Sequence, residues 1–530
     1  MNADELAALR SEAGRAAFLA RVNPAVAPED YRVIAALVEA MARLEKAPAQ
    51  LRKLQHLLFG PKTERTEQVC PPAEPPPVPP AGRQRRKRRK GHGRTRAEDF
   101  TGADWKHIGH QHLRSGQRCP ACRQGTLRQQ RAPARLLRIE GSPPVTAQGF
   151  TLERLRCDTC GMVFTAPAPR EAGEEKYAPS VAVTVAVLRY GTGVPHHRLA
   201  RLQRDLGVPL PESTQWELLE PLAAAARPVL AELILLAANA AVIHQDDTTM
   251  RILDLRRPGS PAAAEIEPGR KGTFTTNLLA ESGGHSVALF FTGWRHAGEN
   301  LSAVLRHRAA DLAPPIQMCD ALAANRDHDY PTVLAGCLAH ARREHVTAAP
   351  SFPEECRYVL AALGEVYRFD AEAKEQGLSP EQRLVHHQTH SQPVMARLEA
   401  WLREQIDQKQ TEPNSSLGQA IGYMLKHWKP LTLFLRHPGA PLDNNRSEQC
   451  LKMAILHRKN SLSYKTLGGA RTGDLFMSLI HTCRLNRINP FAYLLAIAAR
   501  SDEVKLQPAA WLPWNYPPAP ALAPPLARSA

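Results

Sequence analysis

From residue 241 to residue 319 the chain carries five short apolar runs, at 241–243, 250–255, 273–279, 287–292 and 316–319, each bounded by Gly, Pro or Asp. Runs of that length with such boundaries read as strands. The first four follow one another with no room for a long helix, which predicts antiparallel pairing. A helix over about 299–308 precedes the fifth. Helical periodicity flanks the region at 177–238 and again at 353–436. An α/β chain of several domains follows, and two of its strands lead directly into acids: Asp246 and Asp247 after the first, Asp320 at the end of the fifth.

With 530 residues the chain has room for roughly three or four domains, and 43% hydrophobic residues exclude global disorder. Ten cysteines are too few for a disulfide scaffold. Asp4 and Glu5 stand where a signal peptide needs positive charge. The most apolar stretch, 229–243, is interrupted by Glu232 and Asn239 and reads as too short and polar to span a bilayer. The expectation is a cytoplasmic protein with reduced thiols and no membrane partner.

The net charge of +16 is local: residues 83–96 hold seven Arg and two Lys with no acid, and residues 106–157 hold ten basic residues against Glu140 and Glu153. A polyanion, nucleic acid first, suits such a segment, because each phosphate neutralised releases condensed counterions. Arg85, Arg86, Arg88 and Arg89 are the centre of that run, which lacks aromatic residues and should contact phosphates without reading bases.

Cys119-Pro-Ala-Cys122 and Cys157-Asp-Thr-Cys160 form two C-x2-C pairs separated by 34 residues. Each pair is a tight turn presenting two thiolates, and two turns complete the tetrahedral four-thiolate shell that Zn2+ favours. With all four positions filled by protein, such a zinc would be structural.

The remaining chain divides by texture. Residues 1–66 form an N-terminal helical segment, with apolar positions at Tyr31, Ile34, Leu37, Met41 and Leu44 and an interruption at Pro48. Residues 67–104 are a linker with seven prolines between 71 and 80. The cysteine module spans 105–166. In the helical stretch 167–237, residues 197–206, Gly207 and residues 212–219 have the length and central glycine of a helix-turn-helix, a pattern shared with plain scaffold. A domain of strands and helices over 238–480, with a helical insertion at about 350–440, a helical segment over 481–506 and a disordered tail over 507–530 complete the division.

Glu448 lies in Asp443-Asn-Asn-Arg-Ser-Glu448, which reads as the start of a helix capped by Asp443 or Asn444. Asp246, Asp320 and Glu448 converging would make a site for hard divalent cations such as Mg2+ or Mn2+. Two such ions roughly 4 Å apart suit phosphodiester displacement.

These residues resemble the blocks of a bacterial transposase family, the insertion-sequence 66 type. His244-Gln-Asp246-Asp247-Thr248 is similar to its His-x-Asp-Glu-Thr motif, and Gly336-Cys-Leu-Ala-His340-Ala-Arg-Arg343 to its Gly-Cys-Trp-Ala-His-x-Arg-Arg block. Leu442 to Glu448, Arg458-Lys459-Asn460 and Asn489 to Leu494 resemble its C-terminal block. Leu57 to Glu64 resembles its Leu-Phe-Gly-x-x-Ser-Glu segment, and the cysteine quartet its zinc-binding domain. Asp247 stands where the family has Glu, Leu338 where it has Trp, and Ser461 where it has an aromatic.

The resemblance implies a ribonuclease H-like mixed-sheet core with Asp246, Asp320 and Glu448 as its catalytic triad, and a helical insertion within the 128 positions between Asp320 and Glu448. It implies cleavage at the element's terminal inverted repeats and joining to target DNA, by a homo-oligomer, with accessory transposition proteins as further partners. His340, Arg343, Asn445, Arg446, Arg458 and Lys459 would lie near the site, holding phosphates or orienting carboxylates. The alternatives from other classes are a DNA-binding protein descended from a transposase but without catalysis, and a nuclease that cuts without joining.

Overall fold

In this computed structural model the described residues are 162–517, apart from 258, 261–269, 271, 327 and 328, with shorter stretches upstream, chiefly 66–70, 106–108, 112–128 and 141–156. The basic run at 83–96, most of the N-terminal helical segment and residues 518–530 lie outside them. Two compact units are present, one formed by residues 73–144 and one by residues 1–72 with 145–530.

The unit boundary corrects the expected 105–166 module. Residues from Val145 onward belong with the large unit, because Val145 is buried there and its carbonyl accepts a hydrogen bond from Gln203 Nε2 at 3.0 Å. Strands β1 (Arg154–Arg156) and β2 (Val163–Thr165) form an antiparallel hairpin around the second cysteine pair.

Helices α1 (Pro179–Ala186), α2 (His196–Asp205) and α3 (Glu212–Ala238) follow. A π-helical turn, Val187–Gly191, extends α1, and Gly207 takes φ +78° to end α2. The second helix of the supposed helix-turn-helix is therefore the start of a 27-residue core helix. By length and composition α3 could cross a membrane, more than the sequence reading allowed, yet Leu219, Ala226, Val229 and Leu233 are buried in the core.

The main sheet contains β3 (Val242–Thr249), β5 (Phe274–Ser282), β6 (His285–Gly293), β7 (Ile316–Cys319) and β8 (Val333–Gly336), in the order β6-β5-β3-β7-β8. β3, β5 and β6 are antiparallel neighbours, whereas β7 runs parallel to β3 and β8 parallel to β7. Residues 250–255 do not join this sheet as expected. Their β4 (Arg251–Ile252) pairs in parallel with β9 (Ser463–Tyr464), and a 3-10 turn takes over at Asp254. β8 was not foreseen, since its Val-Leu-Ala-Gly is short and shows no alternation.

Between β6 and β7 lies α4 (Ala297–Leu305). The expected insertion is helical: α5 (Leu338–Ala348), α6 (Pro353–Glu375), α7 (Pro380–Asp407) and α8 (Ser416–Lys426). α7 starts at a capping box in which Ser379 Oγ accepts the Gln382 N–H and Gln382 reaches back to the Ser379 N–H. These helices share a second core with Ile316, Met318 and Ala335 of β7 and β8.

The chain closes with α9 (Asn445–Ser461), α10 (Leu467–Leu485), α11 (Pro490–Ala499) and α12 (Ser501–Leu506). α10 covers the edge of the sheet. Asp474, Ser478, Thr482 and Asn486 each accept a backbone N–H of β6, from Thr292 (2.7 Å), Phe290 (2.9 Å), Ala288 (3.1 Å) and Ser286 (3.1 Å). Four helical residues rise about 6 Å, and two strand residues about 6.6 Å, so the two rows match. An edge that would otherwise invite another chain is closed. The tail expected to be disordered from 507 is ordered to 517, because Trp511 and Leu512 bury their apolar surface against the core and the Trp511 carbonyl accepts the Tyr493 hydroxyl at 2.8 Å.

Candidate active site

Asp246 and Asp247 lie within β3 rather than after it, because β5 supplies ladder partners as far as Thr249. The parallel register pairs His244 with Met318. Continued by two residues, it sets Asp246 beside Asp320. Asp320 Oδ1 accepts the Leu322 N–H at 3.0 Å and Asn325 Nδ2 at 2.9 Å, so its carboxylate is oriented by the turn after β7.

Glu448 sits in the first turn of α9, and Asn444, the residue before this helix, fixes where that turn lies. Asn444 is fully buried and spends its side chain on β3: Oδ1 accepts from His244 Nδ1 at 3.3 Å, and Nδ2 donates to the Gln245 carbonyl at 2.7 Å. Ser447 Oγ donates to Asn277 Oδ1 at 3.0 Å on the neighbouring strand. Asn277 is the cross-strand partner of Asp246, so Asp246 shares the face on which α9 lies.

Burial pushes the Asp246 carboxyl up to about 7. The Asp247 N–H at 2.8 Å opposes this, and the negative charges of Asp320 and Glu448 reinforce it. The three carboxylates are thus close enough to feel one another. Asp247 faces the other side, where its Oδ2 accepts from His296 Nδ1 at 2.9 Å at the start of α4. Its strand partner Thr276 likewise bonds Asn300 of α4.

Cys337, His340 and Arg343 come from the start of α5. His340 Nδ1 lies 3.7 Å from Glu448 Oε1, and Arg343 Nη2 lies 3.8 Å from Oε2. Both distances suit ion pairing but exceed a hydrogen bond. Accordingly Glu448 Oε1 and His340 Nδ1 are buried atoms with no hydrogen-bond partner among the described residues. Cys337, His340 and Glu448 also offer ligand atoms within 4.8 Å of one another. Burial raises the Cys337 thiol to about 11, and its Sγ already accepts the Asn444 N–H at 3.3 Å, so it is a poor competitor for a cation.

Other expected site residues lie elsewhere. Arg446 reaches the β5–β6 hairpin, where it pairs with Glu281 and donates to Ser286 Oγ at 3.2 Å. Arg458 is a tether for the end of β3, donating to Thr248 Oγ1 (2.9 Å) and to Thr249 at its carbonyl (2.7 Å) and Oγ1 (2.6 Å). Asn445 and Lys459 are exposed. Sequence reasoning read Asn444 only as a possible helix cap beside Asp443 and missed Asn277, which carries no local signal.

The sequence of this chain matches the Transposase IS66 family over residues 175–472, which covers β3 to α9 and all three carboxylates. The chain belongs to the IS66 transposase family. Among relatives of this transposase is the uncharacterized protein y4jD of Sinorhizobium fredii, 28% identical over 384 residues, or 68% of this chain and 71% of that one. The uncharacterized protein y4hP of the same organism is 28% identical over 388 residues, or 69% and 67%. Membership in this family makes DNA the transposase's partner.

The cysteine pairs fall in separate units. In residues 73–144, Cys119 and Cys122 form a tight turn: the Cys119 N–H donates to the Gly125 carbonyl at 2.7 Å, and the Arg123 N–H to the Cys119 carbonyl at 2.8 Å. The backbone N–H groups of Gly125 and Gln124, then the neighbouring Cys119 thiol, lower the Cys122 thiol below its usual value. That environment favours a thiolate. Cys160 is exposed in the large unit, and Cys157 lies outside the described residues.

Proposed function

We propose that this transposase cuts the ends of its own insertion sequence and joins the freed 3′ hydroxyls to target DNA, using Asp246, Asp320 and Glu448 around two Mg2+ or Mn2+ ions. What supports the reading is that Asp246 of β3 is buried and feels the negative charges of Asp320, after β7, and Glu448, in the first turn of α9. One of them is pushed up to about 7, and another keeps an unpartnered buried oxygen. An all-oxygen donor set of this kind fits hard cations. The sheet supports a ribonuclease H-like core, with three antiparallel strands followed by two parallel ones.

Bound ions would supply Lewis acidity to the attacking water or hydroxyl and to the leaving oxygen. Asp320 is held in place by Leu322 and Asn325, and Glu448 by the Asn444 and Ser447 contacts of its helix. Asp246, whose carboxyl burial pushes up to about 7, would hold a cation in its ionised form. Arg343, 42% exposed at its side chain, is placed to meet a phosphate, and His340 to orient Glu448.

Cys119 and Cys122, in a turn that favours the thiolate, would serve as ligands to a structural Zn2+. The basic run around Arg85, Arg86, Arg88 and Arg89 would bind DNA phosphates, and the nucleoid would be the protein's place in the cell. The test is incubation of the purified chain with a duplex carrying the element's end and Mg2+. Release of a 3′ hydroxyl and its joining to a second duplex is the expected result. Cleavage without joining would identify a nuclease, and binding without cleavage a non-catalytic descendant.

A further inference from the structure

Arg189 is 7% exposed and has no carboxylate among its described partners. Its guanidinium donates to Ser461 Oγ at 2.6 Å and approaches His457 Nε2 at 3.5 Å, and its Nε has no hydrogen-bond partner among the described residues. A buried cation of this kind needs a counter-ion. The neighbouring histidines supply no negative charge. Burial, then the charge of Arg189, pushes His196 down to about 4 and His457 to about 3, so both are neutral.

Arg189 lines a cavity of about 580 Å³ between the π-helical turn, the starts of α2 and α3, the end of α9 and β9. Lys465 adds a second cation, and Ser461, Ser463 and Thr466 add hydroxyls. Trp216 forms a wall, its ring fixed by a hydrogen bond from Nε1 to Glu220 at 2.9 Å. The carboxylate of the lining is Glu212, at the exposed start of α3. Tyr464 completes this wall. A π-helical turn in an α-helix often marks a functional position, and here it carries Arg189 inward.

We propose that this cavity binds a single nucleotide, with its phosphate on Arg189, Lys465 and the hydroxyls and its base against Trp216. Guanidinium, ammonium and hydroxyl donors together suit a phosphate, and an indole face accepts any base by stacking. A bare phosphate would leave most of the volume empty, whereas small-molecule pockets of roughly 300–1,000 Å³ suit ligands of nucleotide size. α9 carries Glu448 in its first turn and Ser461 at its last residue, 13 positions apart, or about 20 Å. One DNA strand passing Glu448 would therefore reach the pocket about six nucleotides on. That link to the strand rests on the transposase reading, while the pocket's chemistry does not.

The experiment is calorimetric titration of the full chain, without divalent metal, with dAMP, deoxyadenosine, inorganic phosphate and a short single-stranded oligonucleotide. We expect dAMP to bind, and deoxyadenosine and phosphate each to bind at least about tenfold more weakly. Arg189→Gln should abolish dAMP binding. Because Arg189 is buried, the exposed Lys465→Ala and the wall variant Trp216→Ala keep the test valid if that protein misfolds. Each should weaken dAMP about tenfold. No binding of dAMP to the wild type, or unchanged affinity in both Lys465→Ala and Trp216→Ala, would overturn the pocket. Phosphate binding as tightly as dAMP would reduce it to an anion site. Oligonucleotide affinity falling in the same variants supports a strand nucleotide, and an unaffected oligonucleotide overturns that link. Failure of end cleavage in Mg2+ would count against the transposase reading alone.

Discussion

Asn444 joins the start of α9 to β3 through Gln245, whose carbonyl accepts its Nδ2 at 2.7 Å while its Oδ1 accepts from His244. An asparagine at a helix start usually caps the helix itself. Here no side-chain cap bond forms, and the amide instead sets the distance between Glu448 and Asp246.

Asn444→Ala should therefore act on both folding and the site. Loss of two buried hydrogen bonds, with His244 and the Gln245 carbonyl left unpaired, costs about 2–4 kcal/mol. Misplacing Glu448 by even an ångström costs on the order of a hundredfold in rate. Denaturant melts and a cleavage assay measure the two effects. An active variant with an unchanged melt would show that Asn444 positions nothing.

Each of Asp246→Asn, Asp320→Asn and Glu448→Gln should nearly abolish cleavage while leaving DNA binding intact, and the losses should not add, because the three act as a unit. Asp247→Asn is the control. Its side chain faces His296 and α4, so substantial activity should remain. Full activity in Glu448→Gln would remove the two-metal reading.

Asp474 predicts a pH dependence of stability. Burial pushes its carboxyl up to about 7, although the Thr292 hydroxyl at 2.5 Å and the Thr292 N–H at 2.7 Å both donate to it. The folded chain then holds a proton that the unfolded chain releases near 3.8. This contribution is fully present below that value and is lost as pH rises toward about 7, at up to roughly 1.4 kcal/mol per pH unit. Asp474→Asn should flatten the slope between pH 4 and 7 (urea melts at several pH values). An unchanged slope would mean the carboxyl is ionised in the fold.

The purified chain should contain about one Zn2+, and Cys119→Ser or Cys122→Ser should lower that content. Elemental analysis decides it. A metal-free wild-type preparation whose segment around the cysteines resists protease would refute a structural zinc.

The sequence alone determined which residues could do chemistry. Acids directly after strand-like runs, a helix start at Asp443-Asn-Asn and paired cysteines are local patterns, and local sterics and hydrogen bonding decide them. The sheet strands came out nearly where their apolar runs lay. Tertiary structure decided what those patterns met. Residues 250–255 look like the second strand of the sheet but find β9 instead, because 463–464 lies beside them in space though 212 positions away in sequence. Trp511 orders a Pro- and Ala-rich tail by finding a core to enter. Arg446 and Arg458 carry the same charge as Arg343, yet only Arg343 faces Glu448; the others are taken by the β5–β6 hairpin and the end of β3. Arg189 had no motif at all. Its meaning depends on burial and on the absence of a described carboxylate partner, and both are properties of packing between segments some 270 residues apart.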